Sequence, residues 1–224
     1  MLMQVLIFLQ CHSKRLLMIK AAYEKYLLPK LLDTCCSTKP VNYQRKKIVP
    51  DARGTILEIG IGSGLNIPFY QRSNIQKIIG LDPSEELCEM AKKCAKKNKI
   101  DVNFLINSAE EINLPSKSID TVLLTYTLCT IPEPLDALDE IKRVLKSDGN
   151  ILFCEHGTAP DLNVQKWQNR INPLWGKLFG GCNINRNIPN LILESGLKIN
   201  KLDQMYLPST PKIVGYNYWG NASL

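Results

Sequence analysis

The sequence has no Cys-x-x-Cys pair, and its eight cysteines are accompanied by only two histidines, His12 and His156. Structural zinc sites usually draw their four ligands from closely spaced Cys and His pairs, so this spacing encodes none and no metal ligands are expected. Cys129 and Cys154 lie in apolar runs, and Cys88 and Cys94 in a helical pattern. Reduced, buried thiols of a cytoplasmic protein occupy such places. A long hydrophobic run is also missing. The opening MLMQVLIFLQ is apolar for about nine residues, against the ~20 that a membrane-spanning helix needs. Its basic residues, Lys14 and Arg15, follow the apolar run, and no small-residue cleavage site appears, so a secretory signal is not supported.

The body of the chain lacks an excess of either charge. Of 28 Lys and Arg and 21 Asp and Glu, residues 1–50 hold nine basic side chains and two acids, Glu24 and Asp33. The remaining 174 residues carry 19 of each sign, so the net +7 is a property of the N-terminal segment. No basic surface is left over to follow a phosphate backbone, and a nucleic acid is not the expected partner.

What is present is an alternation. From Ala21, residues Tyr23, Tyr26, Leu27, Lys30 and Leu31 fit an amphipathic helix interrupted at Pro29, and a second short helix is expected over 42–48. After Pro50, residues 55–59, 77–81, 102–106, 119–126 and 150–154 read as strands, with helices over 84–98 and 133–146. That rhythm predicts an α/β fold, a doubly wound, mostly parallel sheet with helices on both faces. Residues 156–187 read as a long insertion. A last helix at 188–195 and strands at 197–207 and 212–218 follow, the two strands paired as an antiparallel hairpin at the sheet edge.

The turn after the first strand, ILEIGIGSGLN, is the most informative stretch. A dinucleotide fingerprint has Gly-x-Gly-x-x-Gly, but here the third glycine is Gly64, and Leu65 stands where the fingerprint would place it. Gly60, Gly62 and Gly64 let the backbone pass close beneath a ligand. Glu58, just before the turn, would repel a pyrophosphate but favour an α-amino group. Asp82 ends the next strand 18 residues after Gly64, near the ~20-residue offset at which an acid meets ribose hydroxyls. After the third strand comes NSAEE, where a turn can flank an adenine ring.

These residues, with LDPS, SAEEINLPSKSIDTVLLTYTLCTIPEP and ALDEIKRVLKSDGNILFCEH, resemble the class I S-adenosylmethionine-dependent methyltransferases of the ubiquinone-biosynthesis, or type 11, group. YEKYLLPKLLD and WGKLFGGCNINR at the two ends are similar to the thiol methyltransferase-like branch. The resemblance implies a seven-stranded sheet with an antiparallel seventh strand and S-adenosyl-L-methionine as methyl donor. It divides the chain into an extension at 1–17, a helical segment at 18–50 and a methyltransferase domain at 51–224. By motif, Glu58, Gly60, Gly62 and Gly64 would hold the methionine part, Asp82 the ribose, Ser108, Ala109 and Glu110 the adenine side, and Thr125 the floor beneath the donor, with Asn66 and Pro83 also among the donor-binding positions.

For the acceptor, His156 directly follows the fifth strand and is the only histidine placed to act as a base, with Glu155 beside it to orient His156 or the acceptor. Trp167, Arg170, Trp175, Cys182, Asn183 and Arg186 are expected to form an acceptor-side lid. Cys182 lacks the Pro-Cys context of the cytosine-C5 enzymes, and YTLCTIPEP replaces the Pro-Pro-aromatic motif of nucleic-acid amino-methylating enzymes. A small-molecule acceptor, an alkyl thiol among the options, is expected. A lipid or quinone at the membrane surface, with peripheral contact through the basic N-terminus, and a non-catalytic protein of the same fold are the alternatives.

Overall fold

The computed structural model describes Met18 and residues 20–224. A π-helical turn at Tyr23–Leu27 runs into α1 (Leu28–Cys36) and α2 (Lys39–Ile48). The helix expected to be interrupted at Pro29 changes there from the π-helical turn to α1. Pro29 lies in the first turn of α1, where the wider preceding turn accommodates a residue that cannot donate an N–H to it.

The alternating units follow: β1 (Gly54–Ile59), β2 (Ile75–Leu81), α3 (Glu85–Asn98), β3 (Asn103–Leu105), β4 (Ile119–Thr125), α4 (Pro134–Val144) and β5 (Leu145–His156). Ser84 starts α3 by accepting from the Leu87 N–H at 3.2 Å, with Glu85 and Glu86 in the first turn and Lys96 and Lys97 in the last, the polarity the helix dipole favours. α4 stops at Val144, short of the expected 146, because buried Leu145 turns extended and pairs with Ile119. β5 therefore begins five residues earlier than its alternation suggests, with a register irregularity opposite Ile119 and Thr121.

The insertion after β5 is mostly a helix, α5 (Leu162–Leu178), which continues through Pro173. Its anchor is Gln168, wholly buried, whose Nε2 meets the carbonyls of Gly157, Ile184 and Ile213 at 3.0, 2.9 and 3.1 Å while its Oε1 accepts from the Ala159 N–H. α6 (Ile188–Glu194), β6 (Lys198–Tyr206), α7 (Lys212–Gly215) and β7 (Tyr216–Ser223) complete the chain. The last strand is displaced from the expected 212–218. Pro211 opens a helical turn, and the eight residues Tyr216–Ser223 fill the gap between β5 and β6.

The sheet order is β3-β2-β1-β4-β5-β7-β6, with β1 to β5 parallel and β7 antiparallel to both neighbours. The expected seven-stranded, doubly wound sheet is the one observed. Each face buries an apolar cluster, one around Leu57, Leu124, Ile141 and Phe153, the other around Ile56, Ile67, Ala91 and Leu123. Strand order reverses between β1 and β4, and the crevice beyond their carboxyl ends is where open α/β sheets bind ligands.

Candidate active site

Both acids expected at the donor site end strands and both are buried, Glu58 on β1 and Asp82 just after β2. Asp82 grips the glycine turn: one carboxylate oxygen accepts from the Gly62 N–H and the other from the Ser84 N–H, each at 2.9 Å. Burial raises its pKa against those two bonds. The three glycines divide their work. A Cβ on Gly60 would sit 1.8 Å from Thr127 Oγ1, and one on Gly64 would meet Ile67 and the backbone of α3 at Ala91. Gly62, at φ +56°, has only the Gly60 carbonyl within 4 Å, so the open space beneath a ligand is at Gly62.

Around Glu58 a polar network closes. Its Oε1 accepts from Asn66 Nδ2 at 2.9 Å and its Oε2 from the Tyr70 hydroxyl at 2.6 Å. Asn66 Nδ2 also donates to Thr125 Oγ1 at 2.8 Å. Burial pushes the Glu58 carboxyl up to about 7, with the bonds from Tyr70 and Asn66 working against it.

Arg45, which the sequence did not single out, enters this network from α2. Its Nη1 donates to Asn66 Oδ1 and Thr125 Oγ1, both at 2.7 Å, and its guanidinium stands 5.2 Å from the Tyr126 ring centre. Its Nε is buried without a partner, and among the described residues it makes no ion pair. Lying between Gln44 and Lys46 in a basic helix end, it carried no linear signal. Asp33 of α1 also reaches the turn, accepting from Ser63 Oγ.

This arrangement fits an amino-acid-bearing adenosine. A buried cation with neutral partners is costly alone and would be met by an α-carboxylate, while Glu58 would meet the α-ammonium. Ser108 and Glu110 bond to each other at the rim, and Glu110 Oε1 accepts from the Glu133 N–H at 3.3 Å. Ala109 is buried in the core, and Pro83 lies between Asp82 and the cap of α3.

On the acceptor side, Tyr126 follows β4 at φ +56°, with its hydroxyl on Asn217. Strained backbone of this kind concentrates at functional sites. Glu155 is fully buried, and its carboxylate accepts from the Thr127 and Leu128 N–H groups at 2.8 and 3.1 Å, so it shapes the loop after β4. Burial pushes it up to about 7, opposed by those two bonds.

His156 is half-buried, with Nε2 at 3.3 Å from Cys182 Sγ. The thiol of Cys182 is pulled far down, first by the Cys129 thiol and then, against burial, by His156. Burial draws the His156 imidazole down, and the charge of Cys182 more than reverses this.

Of the six residues expected in a lid, four come together. Cys182 and Trp175 share an apolar cluster with Cys129, Asn183 bonds the Cys129 carbonyl, and Arg186 bonds the carbonyls of Leu128 and Ile131. Trp167 and Arg170 are exposed, the guanidinium stacked 5.5 Å from the indole, and do not join them.

Comparison with known proteins agrees with this geometry. A family model described as a methyltransferase domain, type 11, matches residues 57–153. The chain is similar to thiol S-methyltransferase TMT1B of Rattus norvegicus, 28% identical over 210 residues, covering 86% of this chain and 84% of the relative. It is also similar to thiol S-methyltransferase TMT1A of Homo sapiens, 27% identical over 176 residues, covering 77% and 72%. The fold matches a solved SAM-dependent methyltransferase from Aquifex aeolicus with a TM-score of 0.61 at 17% identity, covering 87% of this chain and 97% of that one. Motif, fold and relatives together make this chain an S-adenosylmethionine-dependent methyltransferase.

Proposed function

We propose that this methyltransferase acts on a small-molecule thiol. The observation that carries the choice of thiol is the alignment, over more than four-fifths of both chains, with a protein named a thiol S-methyltransferase. Bound S-adenosylmethionine would supply an electrophilic methyl group on a sulfonium centre, which an acceptor sulfur displaces in line. The residues of the chain do the rest. Arg45 and Glu58 hold the two charged ends of the methionine part, with Asn66 and Thr125 between them and Gly62 beneath. Asp82 keeps a lone pair on each oxygen for the ribose hydroxyls after bonding Gly62 and Ser84. Ser108, Ala109, Glu110 and Pro83 border the adenine. His156 accepts the proton of the thiol, and Glu155 positions the facing loop through Thr127 and Leu128.

A second reading, a lipid or quinone acceptor at a membrane surface, draws on the exposed Leu162, Trp167, Leu174 and Leu178 of α5. Among the described residues no helix is long and apolar enough to cross a membrane. We place the chain in the cytoplasm, with any membrane contact peripheral.

Labelled donor offered with alkyl thiols, quinols and phospholipids in parallel tests both readings. Methyl thioethers are the expected product, and label only in quinol or lipid would replace the thiol reading. His156→Ala should lower kcat far more than donor affinity and remove the acid limb of the pH–rate profile, where protonation of the imidazole stops it acting as a base. Loss of folding together with activity would reduce His156 to a structural residue.

A further inference from the structure

We propose that Cys129, His156 and Cys182 form a three-ligand site for a thiophilic metal ion, with zinc the best match to two sulfurs and one ring nitrogen. Their ligand atoms all lie within 4.8 Å of one another, and Cys182 Sγ stands 3.3 Å from His156 Nε2. Around a tetrahedral zinc, with bonds of about 2.3 Å to sulfur and about 2.0 Å to nitrogen, such ligands would be separated by roughly 3.5–3.8 Å. Small side-chain adjustments bring the three to that spacing and leave one position for water or another donor.

The three come from separate parts of the fold: the loop after β4, the last residue of β5 and the turn after α5. No short spacing motif could announce them. Their backbones are already held together. The Asn183 N–H donates to the Cys129 carbonyl at 2.8 Å, the Cys182 N–H to the Phe179 carbonyl at 3.1 Å, and Glu155, next to His156, fastens the Thr127 and Leu128 N–H groups. Ligands fixed by their surroundings are the condition for a tight site.

Ile171, Phe179 and Ile184 wall the cluster, and Trp175 in the same wall has its indole nitrogen buried without a hydrogen-bond partner. The Cys182 sulfur is the acceptor within reach of that N–H, and a metal-bound thiolate there would be a stronger one than the neutral thiol. Two buried cysteines alone would be ordinary core filling. A histidine nitrogen 3.3 Å from one sulfur, inside an otherwise apolar cluster, is not explained by core filling. An ion here would pin the end of α5 to the strand ends and occupy His156 Nε2, so the proton transfer assigned to His156 belongs to the metal-free protein and metal binding inhibits it.

Titration of the reduced full-length chain with Co2+, followed by absorption, reads the site without donor or acceptor, so its failure leaves the thiol reading untouched. One equivalent of Co2+ is expected to give thiolate-to-metal charge-transfer bands with tetrahedral ligand-field bands, and Zn2+ to displace it. Cys129→Ser and Cys182→Ser should each weaken binding at least tenfold, and Cys35→Ser, an exposed thiol, should not. Should the serine variants misfold by circular dichroism, a folded His156→Gln protein carries the same expectation. Absent bands, bands that survive in the Cys129→Ser/Cys182→Ser protein, wild-type affinity in His156→Gln, or a Cys129–Cys182 disulfide with no metal uptake would each overturn the proposal.

Discussion

Arg45 donates to two neutral side chains, while Glu58 nearby is pushed up to about 7 by its burial. Both charges await a ligand that carries the opposite ones. Replacing Arg45 by Met is expected to weaken S-adenosylmethionine binding by roughly 1.5–3 kcal/mol, the scale of hydrogen bonds to charged groups, and calorimetry on a folded variant measures it. The Glu58 carboxyl gives a pH signature. Its raised value means the folded apoprotein holds more protons than the unfolded chain between pH 4.5 and about 7. Its contribution to stability is therefore full below 4.5 and is lost as pH rises through about 7. Donor binding brings an ammonium beside it, favours the carboxylate, and should release a proton near pH 6 but little at pH 8. Calorimetry at pH 6 in buffers of different ionisation enthalpy detects that proton. Glu58→Gln should abolish it, and an unchanged proton count in that variant would point to another group.

At the scale of elements, the glycine turn and α5 are both fastened by one buried side chain. Asp82 joins the turn to the start of α3, so Asp82→Ala removes two N–H acceptors besides any ribose contact. It is expected to lower donor affinity by roughly 1.5–3 kcal/mol and, from the orphaned N–H groups, the unfolding free energy by about 1–3 kcal/mol. Asp82→Asn keeps an acceptor for one of the two and should recover part of the stability, which denaturant unfolding can separate from calorimetric affinity. For α5, Gln168→Leu leaves the Ala159 N–H and three carbonyls without their buried partner. A loss of about 1–3 kcal/mol, with hydrogen exchange accelerated first in residues 157–186, is the expected outcome. Uniform acceleration would mean that α5 does not open separately from the sheet.

For the whole molecule, the N-terminal helices reach the glycine turn and the Glu58 network through Asp33 and Arg45, so on the proposed reading they are expected to be required for donor binding. Residues 1–17, where the apolar stretch and Lys14 and Arg15 fall, lie outside the described residues. A chain started at Met18 should keep the fold and donor affinity of the full one. The extension should add only salt-sensitive sedimentation with anionic vesicles, because basic side chains would carry it. Vesicle binding indifferent to salt would contradict this, as would a Met18-start protein unable to bind donor.

The alternation of strands and helices, the strand-end acids Glu58 and Asp82 and the glycine turn were all legible in the sequence, because each depends on neighbours within a few residues or on one crossover unit. The helix in 162–178 was less so, since its Asn, Gly and Pro content masks a period that buried Gln168 stabilises from three distant carbonyls. The start of the last strand was hidden for a related reason: it is set by the open edge of β5, which no local pattern reports. Arg45 and the convergence of Cys129, His156 and Cys182 were decided by tertiary structure alone. A linear pattern records spacing along one element, whereas these side chains meet only after the sheet order and the path of α5 bring separate segments to the same strand ends.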